Sequence, residues 1–374
     1  MAKKLYATVG GKYCKVKKLY ATVGGKYCKV KKMYVTYGSK YYPCWTGGEL
    51  AYYGTATNLS VARSEAKTVA VGNYALFAGG YERSYESAIV DTYNPSLTKG
   101  TATNLSNKKR GFGAAAIGNY AIFAGGYNDD DHFTTVDTYN TSLTKSTATA
   151  LSAKKRYLAG TTVGSYALFG GGRNSSTTYA TVETYNASLT KGTATNLNGK
   201  IYELTAVTVG NYALFAGGWN DSTNKINTTV DTYNASLTKG TAAALGSENK
   251  RYLAATTVGD YALFIGGNTN INSKIVDCYN ASLTKVTVPD VSTARSHAAA
   301  TSLGDYAMFA GGYAGSAPQS AVDVYDTSLT KSVVADLSVA RYKCAAVSIG
   351  NYALFGGGQT DNSTPVSTVD CYTI

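Results

Sequence analysis

Short apolar runs separated by Gly, Asn and Ser recur along most of the chain, and this pattern predicts β-strands rather than helices. In one stretch the runs cover residues 113–117, 120–124, 135–139 and 144–148. Gly118-Asn119 between the first two runs is a tight-hairpin signal, and Asn140-Thr141-Ser142 between the last two favours an Asx-type turn. We therefore expect units of four antiparallel strands.

This unit occurs seven times, at spacings of 45 to 49 residues. Each copy has an apolar run closed by two glycines, and the second glycine is Gly80, Gly126, Gly172, Gly218, Gly267, Gly312 or Gly358. Each copy then has an acid two residues before a Tyr, at Asp91, Asp137, Glu183, Asp231, Asp277, Asp323 and Asp370. Because one four-stranded unit cannot bury both of its faces, the repeat predicts an all-β chain whose units stack in a ring, a seven-bladed β-propeller.

The two ends of this repeat region complement each other. The seventh copy stops at Ile374, after its third strand, so its fourth strand is missing. Residues 54–60 are identical to residues 100–106, which belong to the fourth strand and following segment of the first copy. We therefore predict that the strand in residues 50–57 closes the last blade and removes its exposed edge.

The paired glycines, the later acid-x-Tyr and the Arg that opens the first strand resemble the kelch repeat over residues 61–374. Kelch units usually have a Trp in the fourth strand, where this chain has Leu-Thr-Lys-Gly-Thr-Ala-Thr. The resemblance implies a kelch-like propeller. We place the domains at residues 1–48, an arm, and residues 49–374, the propeller.

The arm carries the charge of the chain. The net charge is +12, and residues 1–48 contain eleven Lys and no Asp or Glu, so the rest is nearly neutral. Residues 3–16 and 17–30 are identical and residues 31–44 are a looser copy, each predicting a small hairpin. Three interpretations stay open: docking on another protein or on copies of itself, attachment to nucleic acid through lysines interleaved with tyrosines, and a solubilising extension.

The Lys-rich repeats and the junction from Trp45 to Leu50 resemble N-terminal segments of tail and fibre proteins of bacteriophages that infect gut Gram-positive bacteria. This resemblance implies a virion structural protein whose arm contacts other virion proteins. No segment reaches the ~18 apolar residues of a membrane helix, and no hydrophobic signal core follows Met1. We expect synthesis in the bacterial cytoplasm without a signal peptide, and no membrane insertion.

Sequence variation among the copies is concentrated in the connections between the second and third strands. These loops lie on the same face as the blade-to-blade connectors, and they are rich in Tyr, Trp, Asn, Asp and Ser, as are paratopes and sugar-binding surfaces. Drift of unconstrained loops is the alternative explanation. The candidate contact residues are Tyr81, Tyr85, Tyr127, Phe133, Tyr179, Trp219 and Tyr313.

Six arginines lie sixteen or seventeen residues before the second glycine of their copies, where the fourth copy has Tyr202. They are Arg63, Arg110, Arg156, Arg251, Arg295 and Arg341. One hypothesis is an anion site of guanidinium groups around the channel mouth. The other is that each Arg pairs with backbone or a neighbouring blade. The seven repeated acids are expected to accept hydrogen bonds that serve the fold.

We expect no enzymatic activity and no metal or cofactor. Some kelch-like propellers are copper oxidases with a His-rich centre, whereas this chain has two histidines, His132 and His297. Neither a Gly-x-Ser-x-Gly elbow nor a Walker loop is present. The expected function is binding of a host surface glycan or protein. The alternatives are a cytosolic kelch protein-interaction adaptor and a carbohydrate-active enzyme that uses Glu82, Glu86 or Asp129 to Asp131.

Overall fold

The computed structural model describes the backbone of six strands within residues 6–45, and residues 49–374 except 247–249 and 269–270. The six strands pair as three antiparallel hairpins at the positions predicted for the arm. The pairs are Tyr6–Val9 with Lys12–Lys15, Tyr20–Val23 with Lys26–Lys29, and Met33–Tyr37 with Lys40–Trp45. The arm's side chains, including Cys14 and Cys28, and its expected docking lie outside the described residues.

The rest of the described chain forms seven four-stranded antiparallel sheets. From the first strand outwards, the first three sheets are Lys67–Val71, Tyr74–Ala78, Val90–Tyr93 and Lys99–Ala102; Gly113–Ile117, Tyr120–Ala124, Val136–Asn140 and Lys145–Ala148; and Ala159–Val163, Tyr166–Gly170, Val182–Asn186 and Lys191–Ala194. The next three are Thr205–Val209, Tyr212–Ala216, Val230–Asn234 and Lys239–Ala242; Ala254–Val258, Tyr261–Ile265, Val276–Asn280 and Lys285–Val286; and Ala299–Leu303, Tyr306–Ala310, Val322–Asp326 and Lys331–Val333. The seventh is Ala345–Ile349, Tyr352–Gly356, Val369–Thr373 and Ala51–Ala56.

Shorter strands extend three of the loops. They are Tyr81–Glu82 with Tyr85–Glu86, Ile201–Tyr202 with Trp219–Asn220 and Lys225–Ile226, and Tyr313–Ala314 with Ala317–Pro318. No helix in the described ranges is long and apolar enough to cross a membrane.

The seven sheets are arranged in a ring around their first strands, which we call the inner strands. Each inner strand contacts the inner strand of the next sheet, and the circuit closes where Ala345–Ile349 contacts Lys67–Val71. Apolar side chains fill the space between neighbouring sheets. Between the first and second, Leu76 packs with Phe112 and Phe123. Stacking therefore buries the faces that a single sheet cannot bury.

The last sheet is closed by the start of the repeat region, which confirms the predicted role of residues 50–57. Ala51–Ala56 pairs antiparallel with Val369–Thr373, with Val369 opposite Ala56 and Thr373 opposite Ala51. The strands of the second sheet also agree with their predicted bounds, except that the third begins and ends one residue later and the fourth begins one residue later.

Candidate functional site

A three-residue segment before each inner strand has the same arrangement in every sheet, as Lys155, Arg156 and Tyr157 illustrate. The first side chain is buried beneath the sheet, the second residue bridges to the loop after the paired glycines, and the third lies at the axis. One repeated backbone path therefore brings seven triplets to the same end of the ring.

The first residue of the triplet is a buried cation in six of the sheets, and it forms an ion pair with the repeated acid. The pairs are Arg63 with Asp91, Lys109 with Asp137, Lys155 with Glu183, Lys250 with Asp277, Arg295 with Asp323 and Arg341 with Asp370, at 2.7 to 3.0 Å. In the fourth sheet this position is Ile201. The acids also accept bonds from the preceding connector, as Ser60 N and Oγ show with Asp91. The fold-serving role predicted for the acids is confirmed.

The cations decide the ionisation of these carboxyls. Burial alone would raise the pKa of Asp91 and Asp323, but the adjoining Arg together with Ser and Lys donors outweighs burial and lowers it. A second cation comes from the outer strand: Lys331 Nζ lies 3.1 Å from Asp323 Oδ1. Each such carboxylate thus joins a connector, an inner segment and an outer strand.

The predicted circle of six guanidinium groups at the channel mouth is wrong. Arg63, Arg295 and Arg341 are fully buried, and besides their acids they donate to backbone carbonyls, as Arg63 Nη2 does to Phe77 O at 3.1 Å. The arginines lie either sixteen or seventeen residues before the second glycine, and these two spacings correspond to two different structural positions. Arginines seventeen residues before the glycine occupy the buried position, whereas Arg110, Arg156 and Arg251 lie one residue later and are only partly buried.

The second residues of the triplets form antiparallel bridges with the residues that follow the paired glycines. The pairs are Ser64 with Tyr81, Arg110 with Tyr127, Arg156 with Arg173, Tyr202 with Trp219, Arg251 with Asn268, Ser296 with Tyr313, and Tyr342 with Gln359. We call these pairs the collar. They place arginine and aromatic side chains side by side around one end of the ring.

The third residues, which we call the axial ring, line a cavity at the centre of the collar. They are Glu65, Gly111, Tyr157, Glu203, Tyr252, His297 and Lys343, and all have φ between 54° and 64°. Backbone bonds link neighbours, as in Glu65 N to Lys343 O at 3.0 Å and Glu203 N to Tyr157 O at 3.0 Å. The cavity, the vestibule, has a volume of about 300 Å³ and adjoins a channel cavity of about 320 Å³ between the inner strands.

Ion pairs hold both carboxylates of the axial ring. Glu65 Oε1 lies 2.7 Å from Lys343 Nζ, and Arg251 Nε donates to Glu203 Oε2 at 2.7 Å. Burial opposes ionisation of Glu65, but Lys343 outweighs burial and lowers its pKa. Both carboxylates are therefore already partnered by a cation of the protein.

Two further groups of the vestibule are bases with depressed pKa values. Burial lowers the pKa of His297 to about 4, so its ring is neutral near pH 7, and it stacks on Tyr252 with centroids 4.1 Å apart. Lys67 lines both the vestibule and the channel, and the crowding of protein around it lowers its pKa, although its side chain is exposed to the channel lumen. Of the described residues that line the channel, Lys67 alone carries a formal charge.

Four of the predicted contact residues are members of the collar. Tyr81 lies under the Arg110 guanidinium at 4.0 Å, Trp219 lies 5.6 Å from that of Arg251, and Tyr313 contacts Tyr342 at 4.9 Å. Tyr127 was expected to be exposed and is buried, only 6 % accessible, because the collar bridge turns it beneath Arg110 and Arg156.

The other three contact residues lie in the loops beyond the collar. Tyr85 is 54 % exposed, while Phe133 and Tyr179 are partly buried. Tyr179 lies 5.3 Å from the ammonium of Lys155. The sequence prediction missed the axial ring and Arg173. The sequence did contain a signal for the axial ring, because the third triplet position varies between neighbouring copies as the loops do. Aligning all six arginines at one position, although they occupy two, concealed that variation.

No protein-family model matches this chain, and no curated protein matches it. Among solved structures, one described as the structure of YjhT matches with a TM-score of 0.57 and 14 % identity, over 71 % of this chain and 95 % of that one. The chain is a β-propeller. Because 564 solved chains resemble it, a propeller fold by itself selects no function.

The described part of the propeller contains no group of three or more His, Cys, Asp or Glu side chains arranged to hold a metal ion. Cys278, Cys344 and Cys371 are free thiols. The functional groups that remain are the cations, carboxylates and aromatic rings of the collar and the axial ring.

Proposed function

We propose that this protein is a non-enzymatic recognition protein whose collar and adjoining loops bind a host surface glycan or protein. The observation that carries this proposal is the convergence of variable aromatic and arginine side chains around the vestibule, on a scaffold whose other positions repeat. Variation at one end of a rigid repeat is the arrangement expected of a binding face.

The side chains of the collar suit a sugar or a polar protein surface. Tyr202 and Trp219 are cross-strand partners, and the Arg251 guanidinium lies 5.6 Å from both rings. Aromatic faces bind the apolar face of a sugar ring, while neighbouring cations and amides bind hydroxyl groups. A rigid strand pair holds these rings, so ordering them on binding costs little entropy.

The ion pairs of the vestibule support the non-enzymatic assignment. A glycosidase needs one carboxylic acid that is protonated and a second carboxylate nearby. Lys343 lowers the pKa of Glu65, which makes this carboxyl a poor proton donor, and Glu203 accepts a hydrogen bond from Arg251. Glu86 favours the alternative of a carbohydrate-active enzyme, because burial raises its pKa. Its Oε1, however, lies 3.2 Å from Arg110 Nε.

We assign the finer identity on the sequence resemblances. Each four-stranded sheet is taken as one blade of a seven-bladed kelch-like propeller. The Lys-rich hairpins of residues 1–48 anchor it to a bacteriophage particle, or to copies of itself, so that the collar faces the host. A cytosolic protein-interaction adaptor would use the same face and lack the particle.

A glycan array probed with the full-length protein tests the recognition proposal. We expect binding to a restricted set of glycans, lost in Trp219→Ala because the aromatic platform beside Arg251 disappears. Tyr53→Ala is the matched control, since Tyr53 is exposed on the closing strand. Undiminished binding by Trp219→Ala would contradict the placement of the site, and release of reducing sugar from a bound glycan would contradict the non-enzymatic assignment.

A further inference from the structure

Arg156 and Arg173 are an unusual pair in the collar, because they are direct cross-strand partners of like charge. Arg156 N donates to Arg173 O at 2.7 Å, and Arg173 N donates to Arg156 O at 2.9 Å. Like charges directly opposite each other destabilise a strand pair. An anion bound beside both guanidinium groups would offset this repulsion.

The other two arginines of the collar, which are partly buried like Arg156, have that compensation within the protein. Arg110 Nε lies 3.2 Å from Glu86 Oε1, and Arg251 is paired with Glu203. Within the described ranges no carboxylate lies within ion-pair distance of Arg156 or Arg173. Acids are therefore positioned for two of the collar arginines and absent from the two that face each other.

Aromatic rings surround the unpaired guanidinium groups. Arg156 lies 4.6 Å from the Tyr127 ring and 5.2 Å from the Tyr157 ring, and Arg173 lies 4.6 Å from the Tyr202 ring. Arg173 Nε donates to Asn174 O at 3.2 Å, whereas Arg156 Nε is buried and has no hydrogen-bond acceptor among the described residues. Cation–π contacts hold both groups without neutralising them, and both side chains keep access to solvent.

His132 lies within the electrostatic field of Arg156 and Arg173. Its ring stacks on Tyr127 at 5.9 Å, and its buried Nε2 has no hydrogen-bond partner among the described residues. Burial lowers the pKa of His132, and Arg156, Lys154 and Arg173 lower it further. The nearby carboxylate, Asp131, opposes this effect but is exposed and paired with Lys154 at 2.6 Å. An uncompensated positive field thus extends from the arginine pair to His132.

We propose that Arg156 and Arg173 bind an oxyanion of the ligand, the carboxylate or phosphate group of an acidic sugar. Guanidinium groups bind both oxyanions through paired N–H donors. Tyr157, which is partly exposed beside Arg156, supplies a face for the attached sugar ring, whereas Tyr202 is buried under Arg173 and holds its guanidinium in place. The proposal rests on the recognition function proposed above and specifies its ligand class. A bound anion would also relieve the repulsion between the two partners.

The chain has two histidines, so His132 and His297 give two readily resolved proton NMR titrations of the full-length protein. The probes are glucuronate, glucose 6-phosphate, inorganic phosphate and neutral glucose. We expect glucuronate, glucose 6-phosphate or both to raise the pKa of His132, because the anion offsets the field of the arginines, while His297 and the glucose sample stay unchanged. A response to inorganic phosphate equal to that of glucose 6-phosphate would show that the sugar contributes nothing and would overturn the acidic-sugar assignment.

Arg156→Gln and Arg173→Gln test the residues. Each is expected to weaken binding of the active probe at least about tenfold, since a charge-assisted hydrogen bond contributes roughly 1.5 kcal/mol or more. Lys285→Gln removes one positive charge from an outer strand, away from the collar and its loops, and should bind normally. An unchanged His297 titration reports that each variant is folded.

Two results would overturn the anion site. One is a His132 titration that no acidic probe changes; the other is unaltered affinity in both arginine variants. These two results test the anion site, whereas the glycan array tests the recognition function. An array showing only neutral glycans, with loss in Trp219→Ala, would remove the anion site and leave the recognition function standing.

Discussion

At the residue scale, the repeated unit of this propeller is a buried carboxylate, which two cations hold in five of the seven sheets. Both Arg and Lys occur at the inner position because either can reach the acid, and the fourth sheet has neither. There Asp231 keeps Lys239 at 3.1 Å and the Asn198 backbone N–H, while Ile201 fills the place of the cation. Charge at this position is thus a feature of six sheets and no requirement of the backbone.

Sequence analysis predicted the acids correctly and the arginines only in part. The dipeptide Lys109-Arg110 contains one buried cation and one collar cation, whereas Arg63 is buried and is followed by Ser64. A search for arginine alone therefore merged two positions that differ by one residue. Burial decides between them, and burial depends on the path of the backbone across the whole ring.

Replacing Arg295 by Met tests the energetic weight of the buried pair. We expect a loss of about 3 kcal/mol or more in the free energy of unfolding, because Asp323 would remain buried with only Lys331 as a cationic partner. Combining this change with Asp323→Asn should restore much of the loss. Denaturant unfolding of the two single variants and the double variant measures the coupling.

Arg83→Met, on an exposed loop, is the matched control and should change stability little. A coupling energy near zero between Arg295 and Asp323 would show that the pair contributes nothing.

At the scale of elements, the closing strand replaces an outer strand but differs from the others in one side chain. Six outer strands begin with a Lys that reaches the repeated acid, whereas the closing strand has Tyr52 at the equivalent position. Tyr52 Oη donates to Asp370 Oδ1 at 2.7 Å. Burial and the neighbouring Asp370 raise the pKa of Tyr52 to about 12, so it stays a neutral donor.

The strand was predictable from the identity of residues 54–60 with 100–106. The presence of Tyr52 where the other outer strands have Lys could not be predicted. The identity with residues 100–106 begins two residues after Tyr52, and the register shifts beside Tyr372. A bulge of this kind changes which residue faces a given partner without leaving a mark in the sequence.

Tyr52→Phe should lower the free energy of unfolding by about 1 to 3 kcal/mol, because Asp370 loses a donor in a largely buried site. Tyr52→Lys should be tolerated better than Tyr52→Phe, since lysine serves this role in six other sheets. Thermal and denaturant unfolding measure both variants.

The control for these variants is Tyr53→Phe, on the exposed side of the same strand. Equal stability of Tyr52→Phe and Tyr53→Phe would contradict the equivalence of Tyr52 with the outer-strand lysines.

At the scale of the whole molecule, the repeat predicted the fold and the loops but only part of the site. The axial ring depends on a left-handed backbone conformation at the third position of every triplet. Gly111 is the one residue at this position whose type favours that conformation. The meeting of residues as distant as Glu65 and Lys343 also requires the ring to close. Side chains separated by 278 residues form an ion pair there, and no local pattern indicates such a contact.

Closure is the claim on which the vestibule, the collar and the anion site all depend. No covalent bond between described cysteines joins the two ends, so the hydrogen bonds between Ala51–Ala56 and Val369–Thr373, together with the packing of the seventh sheet on the first, hold the ring shut. Hydrogen–deuterium exchange of the full-length protein, read by mass spectrometry, tests this directly. We predict that amides of residues 51–56 exchange as slowly as those of the equivalent outer strand Lys145–Ala148. Exchange at the rate of an unstructured peptide in residues 51–56, with Lys145–Ala148 protected, would contradict the closed ring.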